Sequence, residues 1–375
     1  MAETPTYAST EEQGMIRDTA RQFLEDRVGL GRVRDLMMSE EGFDPVIWKE
    51  MAELGWTGLA IAEGHGGAGF GPVEMGVLLE EMGRQVTPGP FFASAVLATT
   101  AIQEIGTASQ QEAWLPGLAS GETVASLAVF EEPRNWSPAD PSTSAFLSDD
   151  RWTINGSKRS VMSGVTADIL LVTAGTEDGV GVFLVDPGSD GVVIEEEPVL
   201  DPTRRQAKVN LDSVVVDSAA RLGEADATAA LGRTLALGTV ALACEQVGGA
   251  QRCMEMSVEY AKTRYQFGRP IGSYQAIKHR CANMFMRVEH AKSATYHAAR
   301  VTEDPSELAI AAPLAGSVGS EAYVWVAGEN IQVHGGIGFT WEHDAHIYLK
   351  RAMASSLSLG SPHHQRDLLG RALQI

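Results

Sequence analysis

Two short segments hold side chains that could do chemistry together. In Arg264-Tyr265-Gln266-Phe267-Gly268-Arg269-Pro270-Ile271 a cation, an amide and an aromatic ring meet where a helical pattern carrying Tyr260 and Lys262 breaks at Gly268 and Pro270. A guanidinium grips phosphate through paired, charge-assisted hydrogen bonds, and the ring can cover a flat group. Gln275 follows closely and adds a second amide. By itself, an arginine at a helix end is more often a surface or dipole contact. The second segment is Gln332-Val333-His334-Gly335-Gly336-Ile337-Gly338-Phe339. Adjacent glycines let a ligand approach the backbone, whose N–H groups can cradle a pyrophosphate. The competing reading is a tight turn between helices. Gly336-Ile337-Gly338 is no dinucleotide fingerprint, because it follows a helical stretch instead of a strand and the later glycine is missing.

Other reactive residue types carry less. His343 and His346 flank Asp344, but a third ligand is not evident, so no metal is expected. His363-His364 follow the Gly360-Ser361-Pro362 turn and fit either a site or a surface. Cys244, Cys253 and Cys281 are odd in number and form no C-x-x-C pair, which suits a reducing cytoplasm and excludes a disulfide framework. The formal charge of −20 argues against nucleic acid or anionic membrane as a partner. MAETPTYASTEEQ reads as neither signal nor transit peptide. No run of about 18 apolar residues predicts a membrane span.

The elements that must position these residues fall into three parts. A chain of 375 residues, 44% hydrophobic, is enough for two or three packed units. Residues 1–122 read as helices. Ser9 and Glu12 have capping-box spacing ahead of Ile16, Ala20, Phe23 and Leu24 on one face. Asp44-Pro45 caps a second helix, with Ile47, Met51 and Leu54 on its apolar stripe and Gly55 ending it; Pro72 opens a third, with Met75, Leu78, Leu79 and Met82 and then Gly83. Residues 123–226 turn to short β-rich runs: TVASLAVF, DILLVTA, VGVFLVD, GVVIEEE and AKVNLDSVVVD. Asn155-Gly156 is a strong hairpin signal there, and Pro133, Pro138 and Pro141 crowd a loop. Residues 227–375 return to helix: a long, apolar, proline-free stretch to about 262, then helices near 275–301, 307–333 and 343–374. The fold class is therefore mainly α with an inserted β-domain, not alternating βαβ units.

Taken together, YAKTRYQFGRPIGSYQAIKHRCANM and QVHGGIGFTWEHDAHIYLKRA resemble the two C-terminal signatures of the acyl-CoA dehydrogenase family. GWTGLAIAEGHGGAGFGPVEMGVLLEEMGR resembles its N-terminal helical domain, and INGSKRSVMSG stands where its β-domain flavin motif stands. The resemblance implies an N-terminal helical domain, a middle β-barrel-like domain and a C-terminal four-helix bundle, with FAD as cofactor. It implies an acyl-CoA substrate oxidised to 2-enoyl-CoA, a glutamate base, and electron-transferring flavoprotein as acceptor. By motif matching, Arg264, Gln266, Phe267, Gln275, Gln332, Gly335 and Gly336 carry over as FAD contacts, serving mainly the FAD seated in a neighbouring subunit.

The sequence departs from that pattern at its chemical centre. Leu359 stands where the family's base precedes a glycine, here Gly360, and a leucine cannot take a proton. The alternative base position on the long helix holds Gly238, followed by Thr239. In the β-domain, Phe130-Glu131-Glu132-Pro133-Arg134-Asn135 and Ser160-Val161-Met162 replace the segments that surround the flavin ring; Glu131 would bring a negative charge towards it. No catalytic residue is assigned. Keeping the neighbour's FAD contacts while losing the chain's own ring contacts and base resembles the subunit without the glutamate in heteromeric (α2β2) steroid-type acyl-CoA dehydrogenases. The expected partner is a second subunit that carries the base. The rival readings are a self-sufficient homotetrameric acyl-CoA dehydrogenase or related flavin enzyme with a displaced base, for which Glu245 or His363 are candidates, and a non-catalytic scaffold that binds acyl-CoA or protein.

Overall fold

The computed structural model describes residues 10–132 and 136–375. Ser9 and the loop residues Pro133, Arg134 and Asn135 lie outside the described residues. Helices α1 (Glu11–Arg27), α2 (Leu30–Met38), α3 (Pro45–Glu53) and α4 (Pro72–Arg84) are followed by a π-helical turn at Phe92–Ala98 and by α5 (Thr99–Ile105) and α6 (Ala108–Ala119). Then come β1 (Ala125–Ala128), β2 (Ser144–Ser148), β3 (Arg151–Met162), β4 (Ile169–Thr176), β5 (Gly179–Val185), β6 (Val192–Glu197), β7 (Gln206–Asp217) and β8 (Arg221–Leu222). The rest is α7 (Thr228–Thr263), the short pair β9 (Tyr265–Gln266) and β10 (Arg269–Pro270), α8 (Gln275–Arg300), α9 (Pro305–His334), α10 (Ala345–Ser355) and α11 (Pro362–Ala372).

The chain forms two compact units: residues up to 33, 72–87 and 239–375 make one, and residues 34–71 and 88–238 make the other. In the first, the helices approach closely through glycines. A Cβ at Gly83 would lie 1.9 Å from the Glu245 carbonyl oxygen, and one at Gly248 would lie 1.8 Å from that of Glu80. Only bare backbone permits that crossing of α4 and α7. Gly83 is therefore inside α4, which runs on to Arg84, and does not stop the helix as the sequence suggested. Val247, Ala291 and Ala322 from α7, α8 and α9 make an apolar contact of small residues in the same unit.

In the second unit the strands form one sheet, ordered β6-β7-β3-β2-β4-β5-β8, with β1 parallel to β4. Trp152 and Phe183 meet edge to face at 5.1 Å in its core, among Ile154, Val172, Val209 and Val214. Asn155-Gly156 is not the hairpin turn. β3 runs straight through it, and the register against β7 shifts there as a bulge, with Gly156 at φ +152°. The β2–β3 turn is Asp149-Asp150, both left-handed, as a two-residue hairpin requires. At the N-terminus the capping box belongs to Thr10 and Gln13, one residue beyond the expected spacing, because their side chains and backbones bond reciprocally. The predicted Asp44-Pro45 helix start is as found, with the Asp44 carboxylate accepting from Val46 N–H.

Candidate functional site

The segment after Arg264 folds as a miniature hairpin. Gln266 pairs with Arg269 and Tyr265 with Pro270, leaving Phe267 and Gly268 as the two turn residues at φ +54° and +80°. A phenylalanine with positive φ is a conformational outlier, and this one is 90% exposed at the hairpin tip. Strain of this kind persists where the surroundings over-determine it, and it concentrates at ligand-binding places. Around the tip, the Tyr274 hydroxyl donates to the Gln266 carbonyl at 3.1 Å, and the Arg269 guanidinium lies over the Tyr274 ring at 4.0 Å. The hairpin is thus braced while the Arg264 side chain is exposed and meets no partner among the described residues. Gln275 is the exposed first residue of α8, whose N-cap, Tyr274, gives no side-chain cap bond.

The second segment is the C-terminal end of α9. Gly335 caps the helix at φ +64°, ψ −139°, a conformation essentially closed to other residues, and its N–H donates to the carbonyls of Gln332 and Ile331. A short 3-10 turn, Gly335–Phe339, follows. A Cβ on Gly335 or Gly336 would meet nothing within 4 Å, so these glycines face open space. Gln332 is exposed beside them.

The fold brings the two segments together. Ser257 on α7 donates to Asn330 Oδ1 on α9 at 2.8 Å, and one turn on, the Tyr260 and His334 rings lie 4.3 Å apart. The ends of α7 and α9 are therefore neighbours, Arg264 one turn beyond Tyr260 and Gly335 next after His334. The His343 ring also lies 4.3 Å from that of His334. Burial pushes the His334 imidazole below its ordinary range. Nδ1 of this ring is 2.8 Å from the Asn330 carbonyl. Neither His334 nor Tyr260 was singled out from sequence; their only signal was the four-residue spacing of Tyr260 from Arg264. No cluster of three metal-ligating side chains occurs among the described residues, and His346 stacks on Trp341.

Leu359 and Thr239, at and beside the two positions that the resemblance gives to a base, are not proton acceptors. Leu359 is buried, with its carbonyl accepting from the Gln365 amide at 2.8 Å. Thr239 is buried too, against Gly316, and a Cβ there would meet Thr239 at 2.6 Å and Gln365 at 3.2 Å. Glu245 is locked to Arg351. His363 is largely exposed, 3.9 Å from Asp367. In the strand unit, Glu131 does not present a bare charge. It pairs with the fully buried Lys158 and accepts from the Ser142 and Thr143 N–H groups. Burial pushes the Glu131 carboxyl up, but Lys158 and Thr143 outweigh it and hold it at about 2. Met162 is buried, and its carbonyl accepts from Ser126.

Residues 10–122 match the description "Acyl-CoA dehydrogenase, N-terminal domain", and residues 228–374 match "Acyl-CoA dehydrogenase, C-terminal domain". "Acyl-CoA dehydrogenase IpdE2" of Mycolicibacterium smegmatis is 33% identical over 358 residues, 95% of this chain and 97% of that one. The chain belongs to the acyl-CoA dehydrogenase family. "Acyl-CoA dehydrogenase FadE27" of Mycobacterium tuberculosis is 32% identical over 91% of both chains. Among solved structures, the ChsE4-ChsE5 complex from Mycobacterium tuberculosis superposes with a TM-score of 0.91 at 30% identity, covering 99% of each chain. A variant of the Tcur3481-Tcur3483 steroid ACAD superposes at 0.89 and 33% identity, covering 97% of this chain and 98% of that one.

Acyl-CoA dehydrogenases are oxidoreductases that bind FAD, and FAD is the cofactor here. The described residues fit such a group: an exposed guanidinium, an exposed ring held at a strained tip, and two glycines facing open space. No helix among the described residues is long and apolar enough to cross a membrane.

Proposed function

We propose that this chain is the subunit without a catalytic base in a heteromeric, FAD-dependent acyl-CoA dehydrogenase. The single observation that carries the reading is a contrast. Arg264, Gln266, Phe267, Gln275, Gln332, Gly335 and Gly336 are all exposed on one unit, whereas Leu359 is buried at the base position. In this reading those seven residues hold the pyrophosphate and adenine end of an FAD shared with a second acyl-CoA dehydrogenase-type subunit. Arg264 supplies the counter-charge, Gly335 and Gly336 the backbone approach, and Phe267 the covering ring. FAD, when bound, supplies the hydride acceptor for α,β-dehydrogenation of an acyl-CoA thioester. The partner's glutamate removes the α-proton, and electron-transferring flavoprotein takes the electrons.

Exposed apolar residues support assembly. Phe285 and Met286 on α8, with Phe339 and Trp341 beyond the glycine turn, are exposed large apolar side chains of the kind an interface covers. A steroid side-chain acyl-CoA is the proposed substrate class, since the similar structures include a steroid ACAD and a two-protein complex. The pairing of Glu245 with Arg351 speaks against Glu245 as a displaced base, because a carboxylate held by a buried guanidinium is a poor proton acceptor.

Flavin content tests the proposal. The chain expressed alone should hold little FAD, and co-expression with a glutamate-bearing partner should give a yellow heteromer that oxidises acyl-CoA. A lone chain with one FAD per subunit and full turnover would overturn it.

A further inference from the structure

We infer that Tyr260, His334 and His343 are positioning residues: a cluster of three tilted, touching rings that sets how the two FAD-binding segments face each other. The inference rests on the reading of those segments given above. Tyr260 precedes Arg264 by one turn of α7, and the Arg264 N–H donates to the Tyr260 carbonyl at 2.8 Å, so the orientation of one follows the other. His334 is the last residue of α9 before Gly335-Gly336. The Tyr260 and His334 rings lie 4.3 Å apart at 31°, and the His334 and His343 rings 4.3 Å apart at 49°. His334 is thus in contact with both other rings, joining α7, the end of α9 and the turn that leads into α10.

Three features make the cluster a rigid spacer instead of ordinary apolar filling. Aromatic side chains have few rotamers, and both ring pairs are in contact at 4.3 Å, so the separation tolerates little drift. The middle ring is held on its edge: Nδ1 of His334 lies 2.8 Å from the Asn330 carbonyl, and Asn330 Oδ1 accepts from Ser257 on α7. The outer ring is held too, because His343 Nδ1 accepts the Ala345 N–H at 3.1 Å. Displacing any ring would move Arg264 relative to the Gly335-Gly336 backbone, and a phosphate gripped from both sides would lose one contact.

The test uses the assembled heteromer, stripped of FAD and titrated with it, with affinity referred to the folded fraction. Tyr260→Ala and His343→Ala should each weaken FAD binding by roughly three- to tenfold, the value of one aromatic pair. Tyr260→Phe and His343→Phe, which keep a ring, should bind within about twofold of the parent. If the cluster acts by aiming Arg264, then Arg264→Ala combined with Tyr260→Ala should bind no worse than Arg264→Ala alone. Unchanged affinity in both alanine variants would overturn the inference, as would full additivity in the double variant. Should Tyr260→Ala fail to fold, the half-buried His343 pair of variants still decides the matter. Failure of the underlying reading looks different: Arg264→Ala would then leave FAD affinity untouched.

Discussion

Arg351 donates to Glu245 across 2.8 Å, and the two side chains are 2% and 5% exposed, a fully desolvated ion pair between α10 and α7. A second arm of Arg351 reaches the Thr87 carbonyl at 3.3 Å, and Tyr348, one turn earlier, donates to the Arg84 carbonyl at 2.6 Å. The pair clamps α10 onto α7 and onto the end of α4. Breaking it from one side should cost about 3–5 kcal/mol, because a buried charge is left without its partner. Arg351→Met and Glu245→Gln should each lower unfolding free energy in urea by that order. Changing both to apolar residues of similar size should recover much of the loss.

Base chemistry gives a separate prediction for the same glutamate. In the assembled enzyme, His363→Ala should leave single-turnover flavin reduction nearly intact, and so should Glu131→Gln and Glu245→Gln once normalised to folded, flavin-bound protein. A true general base contributes about 10²–10⁴-fold. A fall of that size from any one of the three would place an active site on this chain and refute the proposed division of labour.

The Lys158–Glu131 pair should give stability a defined pH window. Glu131 sits at about 2, below its ordinary 4.5, so its contribution is present above about 4.5 and is lost as pH falls through about 2. Lys158 is lowered by burial to about 8, against the pull of Glu131. Between 8 and its ordinary 10.5 the folded state therefore holds fewer protons than the unfolded one, and stability rises with pH there. Glu131→Gln, which strands a buried cation, should be strongly destabilising at pH 7 and less so at pH 10, where Lys158 is already neutral. Chemical denaturation of both proteins at the two pH values reads this directly; an equal loss at both would contradict it.

Helix crossing through glycine is equally open to measurement. A methyl group at Gly83 or Gly248 would collide with the carbonyl oxygens of Glu245 and Glu80. Backbone cannot yield as a side chain does, so Gly83→Ala and Gly248→Ala should each destabilise by at least the 1–3 kcal/mol typical of overpacking, about the same for both. Gly328 lies in α9, and a Cβ there meets nothing within 4 Å. Gly328→Ala should instead be neutral or stabilising by up to about 1 kcal/mol. Thermal midpoints should place Gly328→Ala at or above the parent and the other two together below it.

What the sequence by itself determined is whatever depends on local pattern. Met75, Leu78, Leu79 and Met82 recur at helical spacing and are buried, because a helix must cover an apolar stripe wherever it packs. Asp44-Pro45 starts its helix as expected, since the cap and the proline act within one turn. The motifs around Arg264 and Gly335-Gly336 identify the family and its cofactor without any coordinates. Tertiary structure decided what depends on partners distant in the chain. Asn155-Gly156 has hairpin chemistry, yet β7 pairs along β3 on both sides of it and turns it into a bulge. Gly83 looks like a helix stop, yet α7 needs its bare backbone for close approach. Glu131 and Glu245 are isolated acids in sequence; Lys158 lies 27 residues from the first and Arg351 lies 106 from the second, and only the fold neutralises them. Tyr260 and His334 are likewise unremarkable in their own segments. They become a contact because α7 and α9 end side by side, a fact carried by helix packing and by no local pattern.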